Sequence, residues 1–210
     1  MATTLKTQGI INDPAILDSR IQAQLLSPHK EATVQAVVRK MGALQAQHLE
    51  MAQWAIGKRL GLCPHSAKLT ARDVQYALKK GHIVRTHALR PTWQLLVAED
   101  LLWILQLTGP QIKKVLFARD RQVGVAAKEY VRSDEAIYQI LSEHPHLSRQ
   151  ELIAALTEKG FEMNEYRSMH YIMHAEQQGI ICSGPLNNEK HTYALLEVRP
   201  GPEFKKSGTA

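Results

Sequence analysis

The sequence predicts a mainly α fold with small β-hairpin wings (α+β), built from tandem winged-helix (helix-turn-helix) modules. Three observations carry this expectation. Apolar residues recur at helical spacing along most of the 210 residues. Two pairs of short, strand-like runs each follow a helix stopped by glycine, at Gly81 and again at Gly179. The order of helices followed by a hairpin occurs twice, although the residues themselves do not repeat.

Taken in order, Asp13 caps and Pro14 opens a first helix over 13–26, with Ile16, Leu17, Ile21 and Leu25 as its apolar stripe, and Ser27-Pro28 ends it. A second helix over 30–43 carries Val34, Val37, Val38 and Met41 on one face. Gln45-Ala46-Gln47 follows, then a third helix over 48–60, broken by Gly61-Leu62-Cys63-Pro64. Thr70 caps a helix over 71–80, Asp73 suits its positive end, and strands are expected over 83–87 and 92–97. Helix, turn, helix and a basic hairpin is the order of a winged helix; a small α+β unit without a nucleic-acid role has the same order. Two helices, 98–107 and 110–123, come next, and the charges Lys113, Lys114, Arg119 and Arg121 read as a solvated face. Ser133 then caps a helix to Glu143, Ser148 caps 149–158, a longer helix spans 164–178, and strands 180–183 and 192–196 close a second hairpin. The expected division is an N-terminal lead (1–12), a first winged-helix module with flanking helices (13–123), a second module (124–198) and a flexible tail (199–210) rich in Pro, Gly and Lys.

Composition narrows the function classes. A hydrophobic content of 44% and a charged content of 22% are those of an ordinary globular protein. The net charge of +6 is compatible with a polyanionic partner without requiring one. Cys63 and Cys182 lie far apart and have no metal-ligand spacing, so reduced thiols in the cytosol are expected. The first residues lack an apolar signal core, and runs such as Leu95-Leu96-Val97-Ala98 fall short of a membrane span. The chain therefore reads as soluble and cytoplasmic, and nucleoid-associated if it binds DNA.

Gln45 and Gln47 are the residues with the most chemical content. In an extended backbone, positions i and i+2 face one side, so two carboxamides could converge on a water or a small polar ligand. The alternative is a helix start with exposed polar residues. Other chemistries find little support. His144 with His146, and His170 with His174, have spacings open to a metal, but no Glu adjoins His170 and no carboxylate cluster flanks it, so no metal site is assigned. There is no glycine-rich phosphate loop and no nucleophile elbow. Trp54, Trp93 and Trp103 sit in apolar patterns and read as core.

Four stretches together resemble the bacterial winged-helix DNA glycosylases of the AlkZ/YcaQ family, which excise bulky or cross-linked alkylated bases. They are Gly42-Ala43-Leu44-Gln45-Ala46-Gln47, Leu89-Arg90-Pro91-Thr92-Trp93-Gln94, Ala98-Glu99-Asp100, and Ile181-Cys182-Ser183-Gly184-Pro185 followed by Thr192-Tyr193-Ala194-Leu195-Leu196-Glu197. The resemblance spans residues 13 to 198. It implies tandem winged helices around a DNA-binding concavity, with Gln45 and Gln47 serving catalysis. The reaction it implies is hydrolysis of the N-glycosidic bond of a cationic N-alkylated purine, without a metal or organic cofactor. The partner it implies is double-stranded DNA, alkylated for catalysis; no membrane partner is implied, and the oligomeric state is left open. Two departures stand out. Gln94 occupies a position where many members have His. The family's enzymes also continue past this chain's last strand into a third winged helix and a β-rich C-terminal region, so the chain reads as a short form. A non-catalytic tandem winged-helix DNA-binding or regulatory protein is the alternative, with Lys79, Lys80, Arg85 and Arg90 near the first wing and Arg167, Lys190 and His191 near the second contacting phosphates. A winged-helix pair used only for protein contacts is a third reading.

Overall fold

A computed structural model of the protein describes residues 14–63, 71–187 and 190–198. The chain begins with α1 (Pro14–Ala23), a helix without a buried residue; Ile16 and Leu17 of its expected stripe are exposed, and Leu25 is buried only beyond the helix end. Val34, Val37 and Val38 form the buried face of α2 (Val34–Met41), which Thr33 caps by accepting from the Ala36 N–H. This helix starts four residues later than its apolar pattern suggested, because Thr33 offers a side-chain acceptor to the first turn.

β1 (Leu44–Gln45) follows, then α3 (Leu49–Leu60), α4 (Ala71–Lys79) and the hairpin β2 (Ile83–His87) and β3 (Trp93–Val97). β3 is central, pairing antiparallel with β1 (Leu44 opposite Leu95, Gln45 opposite Gln94) and with β2 (Arg85 opposite Leu95). Val37, Val38, Ile56, Leu60, Val74 and Leu95 fill the core beneath this sheet.

A single helix, α5 (Leu101–Val123), replaces the two expected over 98–123, and Pro110 lies inside it. An interior proline costs about 3 kcal/mol or more through its missing N–H and its ring. Tertiary packing offsets this: Gly109 lets α5 lie close to Gln177, and Ile112 and Leu116 pack on Met173. Gly124, left-handed at φ 67°, turns the chain into α6 (Ala127–Glu143). That helix begins six residues before the expected cap. Ser133 is buried within it and its hydroxyl donates back to the Tyr130 carbonyl, so it caps nothing.

The second module then reproduces the first. α6 leads to β4 (Leu147–Ser148), α7 (Arg149–Glu158), α8 (Glu165–Gln177) and the hairpin β5 (Ile181–Ser183) and β6 (Thr192–Leu195), with β6 central in the order β4-β6-β5. Ile137, Leu141, Leu152, Leu156, Tyr171 and Tyr193 make its core. A third cluster joins the modules, where Val84 and Leu96 of the first sheet meet Leu101, Leu105, Cys182 and Leu196. The expected caps Asp13 and Thr70 and the tail 199–210 lie outside the described residues.

Two of the three tryptophans correct the core reading: Trp54 is 60% exposed and Trp103 is 52% exposed. Helical period locates a stripe but does not say which side faces solvent. Among the described residues, no helix is long and apolar enough to cross a membrane.

Ser148 and Glu151 form a reciprocal cap on α7, with the Glu151 N–H donating to the serine Oγ at 3.3 Å and the Ser148 N–H donating to Glu151 Oε2 at 2.7 Å. Ser148→Ala is expected to lower unfolding free energy by about 1 kcal/mol in urea titration, while Ser148→Gly costs a few tenths.

Candidate functional site

The glutamine motif sits where the first module departs from the second. In the second module β4 runs directly into α7, whose first residue follows Ser148. In the first, Ala46, Gln47 and His48 separate β1 from α3, and His48 makes no side-chain cap bond. Ala46 is fully buried, and its N–H donates to the Trp93 carbonyl at 2.8 Å; Gln45 and Gln47 on either side are exposed. The Trp93 N–H donates to Gln47 Oε1 at 3.3 Å. This contact sets which end of the carboxamide faces inward, leaving its NH2 group and one oxygen lone pair for a ligand.

Gln47 lines a cleft of about 560 Å3 together with His48, Leu49, Glu50, Met51, Gln53, Gln75 and Leu186. The cleft thus brings together the first turn of α3, a side chain of α4 and the loop of the second hairpin. Gln45 is not among its lining residues; its backbone pairs opposite Gln94. Gln94 is itself buried and donates from Nε2 to Thr92 Oγ1 at 2.9 Å, a packing position in the sheet.

Behind the motif lies a buried polar knot between the modules. Arg85 is 9% exposed, and its guanidinium donates from Nε to the Ala46 carbonyl at 3.0 Å and from Nη2 to the Gln47 carbonyl at 3.2 Å. The same group stacks over Trp93, 4.5 Å from the ring centroid. Its backbone N–H donates to Ser183 Oγ of the second module at 2.8 Å. Next along β2, Thr86 Oγ1 donates to Glu176 Oε1 at 3.0 Å, and His87 Nδ1 lies 2.6 Å from Glu176 Oε2. Burial lowers the Arg85 pKa, with Tyr193 and Glu176 acting against it.

The comparisons with known proteins come to one family. The profile described as "DNA glycosylase AlkZ-like" matches residues 38–209. The chain belongs to the AlkZ-like DNA glycosylase family. Among solved structures, the Streptomyces sahachiroi DNA glycosylase AlkZ matches with a TM-score of 0.67 and 21% identity over 88% of this chain and 50% of that one. The chain thus spans about half the length of that relative. A search of curated proteins found no match.

Within this AlkZ-like fold the seven basic candidates divide. Lys79 and Lys80 at the end of α4, Arg90 in the first hairpin loop and Lys190 in the second are exposed. Arg85, Arg167 and His191 are turned inward, which redirects the expectation that they contact phosphate. Arg167 pairs with Glu162 at 3.2 Å and donates to the Gly124 carbonyl, holding the α5–α6 corner. The His191 ring packs edge-on against Trp93 and Tyr193, at 4.6 and 4.8 Å between centroids. His170 and His174 each face a carboxylate of their own, Asp120 at 3.1 Å and Asp134 at 3.0 Å.

Several residues around the site were not singled out from sequence. Met51, Glu50, Gln53 and Gln75 line the cleft, and Tyr76 of α4 is 56% exposed with Lys80 Nζ 5.7 Å from its ring centroid. For Tyr76 a signal was available: with Arg72 and Lys79 it recurs on the polar face of α4, opposite buried Val74 and Leu78. Leu186 carries no such signal, since only the tertiary fold brings the second hairpin to the first module.

Burial, with Arg85 and His87 adding repulsion, holds the His191 imidazole down at about 3 against an ordinary 6.5. The folded state therefore resists a proton that the unfolded chain accepts, so this group's contribution is intact above pH 6.5 and is lost as pH falls toward 3. Wild-type stability in urea should fall more steeply over that window than that of His191→Gln. The difference approaches roughly 1.4 kcal/mol per pH unit for one proton. Parallel pH profiles would show that His191 titrates alike in both states.

Proposed function

We propose that this chain binds double-stranded DNA and hydrolyses the N-glycosidic bond of bulky or cross-linked N-alkylated purines, with Gln45 and Gln47 at the reaction centre. The observation that carries the reading is the placement of Gln47, its carboxamide oriented by the Trp93 N–H, in an open cleft between α3, α4 and the second hairpin. Family membership supports this reaction class. A purine alkylated on a ring nitrogen is cationic and departs as a neutral base with the bonding electron pair. Water then bonds to the sugar carbon and gives its proton to solvent. What the protein must supply is a held water and acceptor oxygens near the positive charge that builds on the sugar. Carboxamide oxygens meet that need, and the reaction so written requires no metal or organic cofactor. Glu50 adds a carboxylate to the same cleft wall.

Duplex binding falls to α4 and the hairpin loops. In a winged helix the third helix is the one that enters the major groove. α4 presents Arg72, Tyr76, Lys79 and Lys80 outward, with Arg90 and Lys190 in the two hairpin loops. The equivalent helix of the second module, α8, is buried from His170 through Gln177, and so offers no comparable face. In this reading the protein works at the chromosome, in the nucleoid.

The test is an abasic-site assay on duplex DNA carrying N7-alkylguanine. Excision by the wild type is expected to fall by at least about 100-fold in the Gln45→Ala, Gln47→Ala double variant. Tight binding with intact bases would instead establish a non-catalytic DNA-binding module. In a salt titration, Lys79→Ala and Lys80→Ala should each reduce the slope of log K against log salt by about 0.9. Salt-insensitive or absent binding would overturn both DNA readings.

A further inference from the structure

We propose that Arg85 is a positioning residue for the glutamine motif, gripping the Ala46 and Gln47 carbonyls so that the segment between β1 and α3, and with it the Gln47 carboxamide, is held in one presentation. The proposal rests on the reading of Gln45 and Gln47 as the reaction centre. Residues 46–48 belong to neither strand nor helix, so no ladder satisfies the Ala46 and Gln47 carbonyls. The Arg85 fork does so at 3.0 and 3.2 Å, two consecutive carbonyls bridged by one planar group. The fork is fixed on its other sides. Trp93 covers its face at 4.5 Å, and the Ser183 hydroxyl of the second module anchors its backbone at 2.8 Å. Trp93 meanwhile holds the motif from the strand side, through Ala46 N–H and Gln47 Oε1. Arg85 and Trp93 together therefore fix four atoms of the motif's backbone and side chains.

The second module has no such device. By strand register Ser183 occupies there the place that Arg85 occupies here, each opposite the central strand residue that pairs with the leucine of the short strand. With no residues between β4 and α7, there are no loose carbonyls to hold, and a serine suffices.

A positioning role and a phosphate-contact role make opposite predictions. Arg85→Lys keeps the charge but loses the planar fork that spans the two carbonyls and stacks on Trp93, so single-turnover excision of N7-alkylguanine should fall by at least about tenfold in both Arg85→Lys and Arg85→Met. The affinity for undamaged duplex and the salt slope should stay at wild-type values. Methylguanidinium added to Arg85→Ala should restore part of the lost rate. Amide hydrogen exchange of residues 45–48 should accelerate in Arg85→Lys while the amides of β6 keep their protection. Wild-type excision by Arg85→Lys, or a salt slope reduced by about 0.9 with the saturated rate unchanged, would overturn the proposal in favour of a phosphate contact. If the wild type excises nothing, the reaction-centre reading fails, and the exchange measurement still decides whether Arg85 holds the segment: unchanged exchange at 45–48 would sink it.

Discussion

A carboxylate with no exposed surface must be met by donors or it destabilises the fold that buries it. Glu176, near the end of α8, is such a group, and its donors come from the other module: the Thr86 hydroxyl and the His87 ring. Gln177 beside it donates to the His87 carbonyl. These contacts fix where β2 lies against α8. Arg85 is the next residue along that strand, so the direction of its fork toward Ala46 and Gln47 follows from where Glu176 has placed β2. The arrangement of the glutamine motif thus depends on a side chain from the opposite module, packed behind the sheet rather than in the cleft.

The two modules share one topology and put it to different uses. Both place a short strand beside the last strand of a hairpin, with two helices between. The first has an added segment between strand and helix, a helix α4 with a basic and aromatic outer face, and a cleft at its edge. The second closes that interval with a serine cap and packs its third helix between α5, α6 and β2. The added segment in the first module is where the glutamines stand.

Much of this architecture was legible in the sequence, because the signals concerned are local. Ser148 acts as a cap, Gly81 and Gly179 close their helices, and both hairpins fall where β-rich runs follow those glycines. The misreadings share a cause: a local rule was outweighed by a distant partner. Pro110 read as the start of a second helix, but one helix runs through it and packs on α8 at Gly109 and again at Ile112 and Leu116. Ser133 has the chemistry of a cap but lies behind Val125 and Tyr130, which carry the helix start upstream. Arg85 looked like a cation on a basic hairpin because nothing local reveals Ser183 or Glu176, about ninety residues on. The glutamine pair could be picked out by residue type and spacing. The walls that make a cleft of it, Gln75 and Leu186, come from elements whose approach only the fold specifies.

The burial of α8 has one more consequence. Nine of its side chains are enclosed: it lies in the core of the second module and packs against α5 and β2 on its other sides. Two modules packed against each other through one helix are not strung on a linker as beads on a string are. The relative placement of the two hairpins is set by that packing. For any partner long enough to touch both, the change of shape on docking falls on the partner: a duplex seated across the two hairpins would have to bend or twist to their spacing, and sequences or lesions that soften it would be the easier to seat.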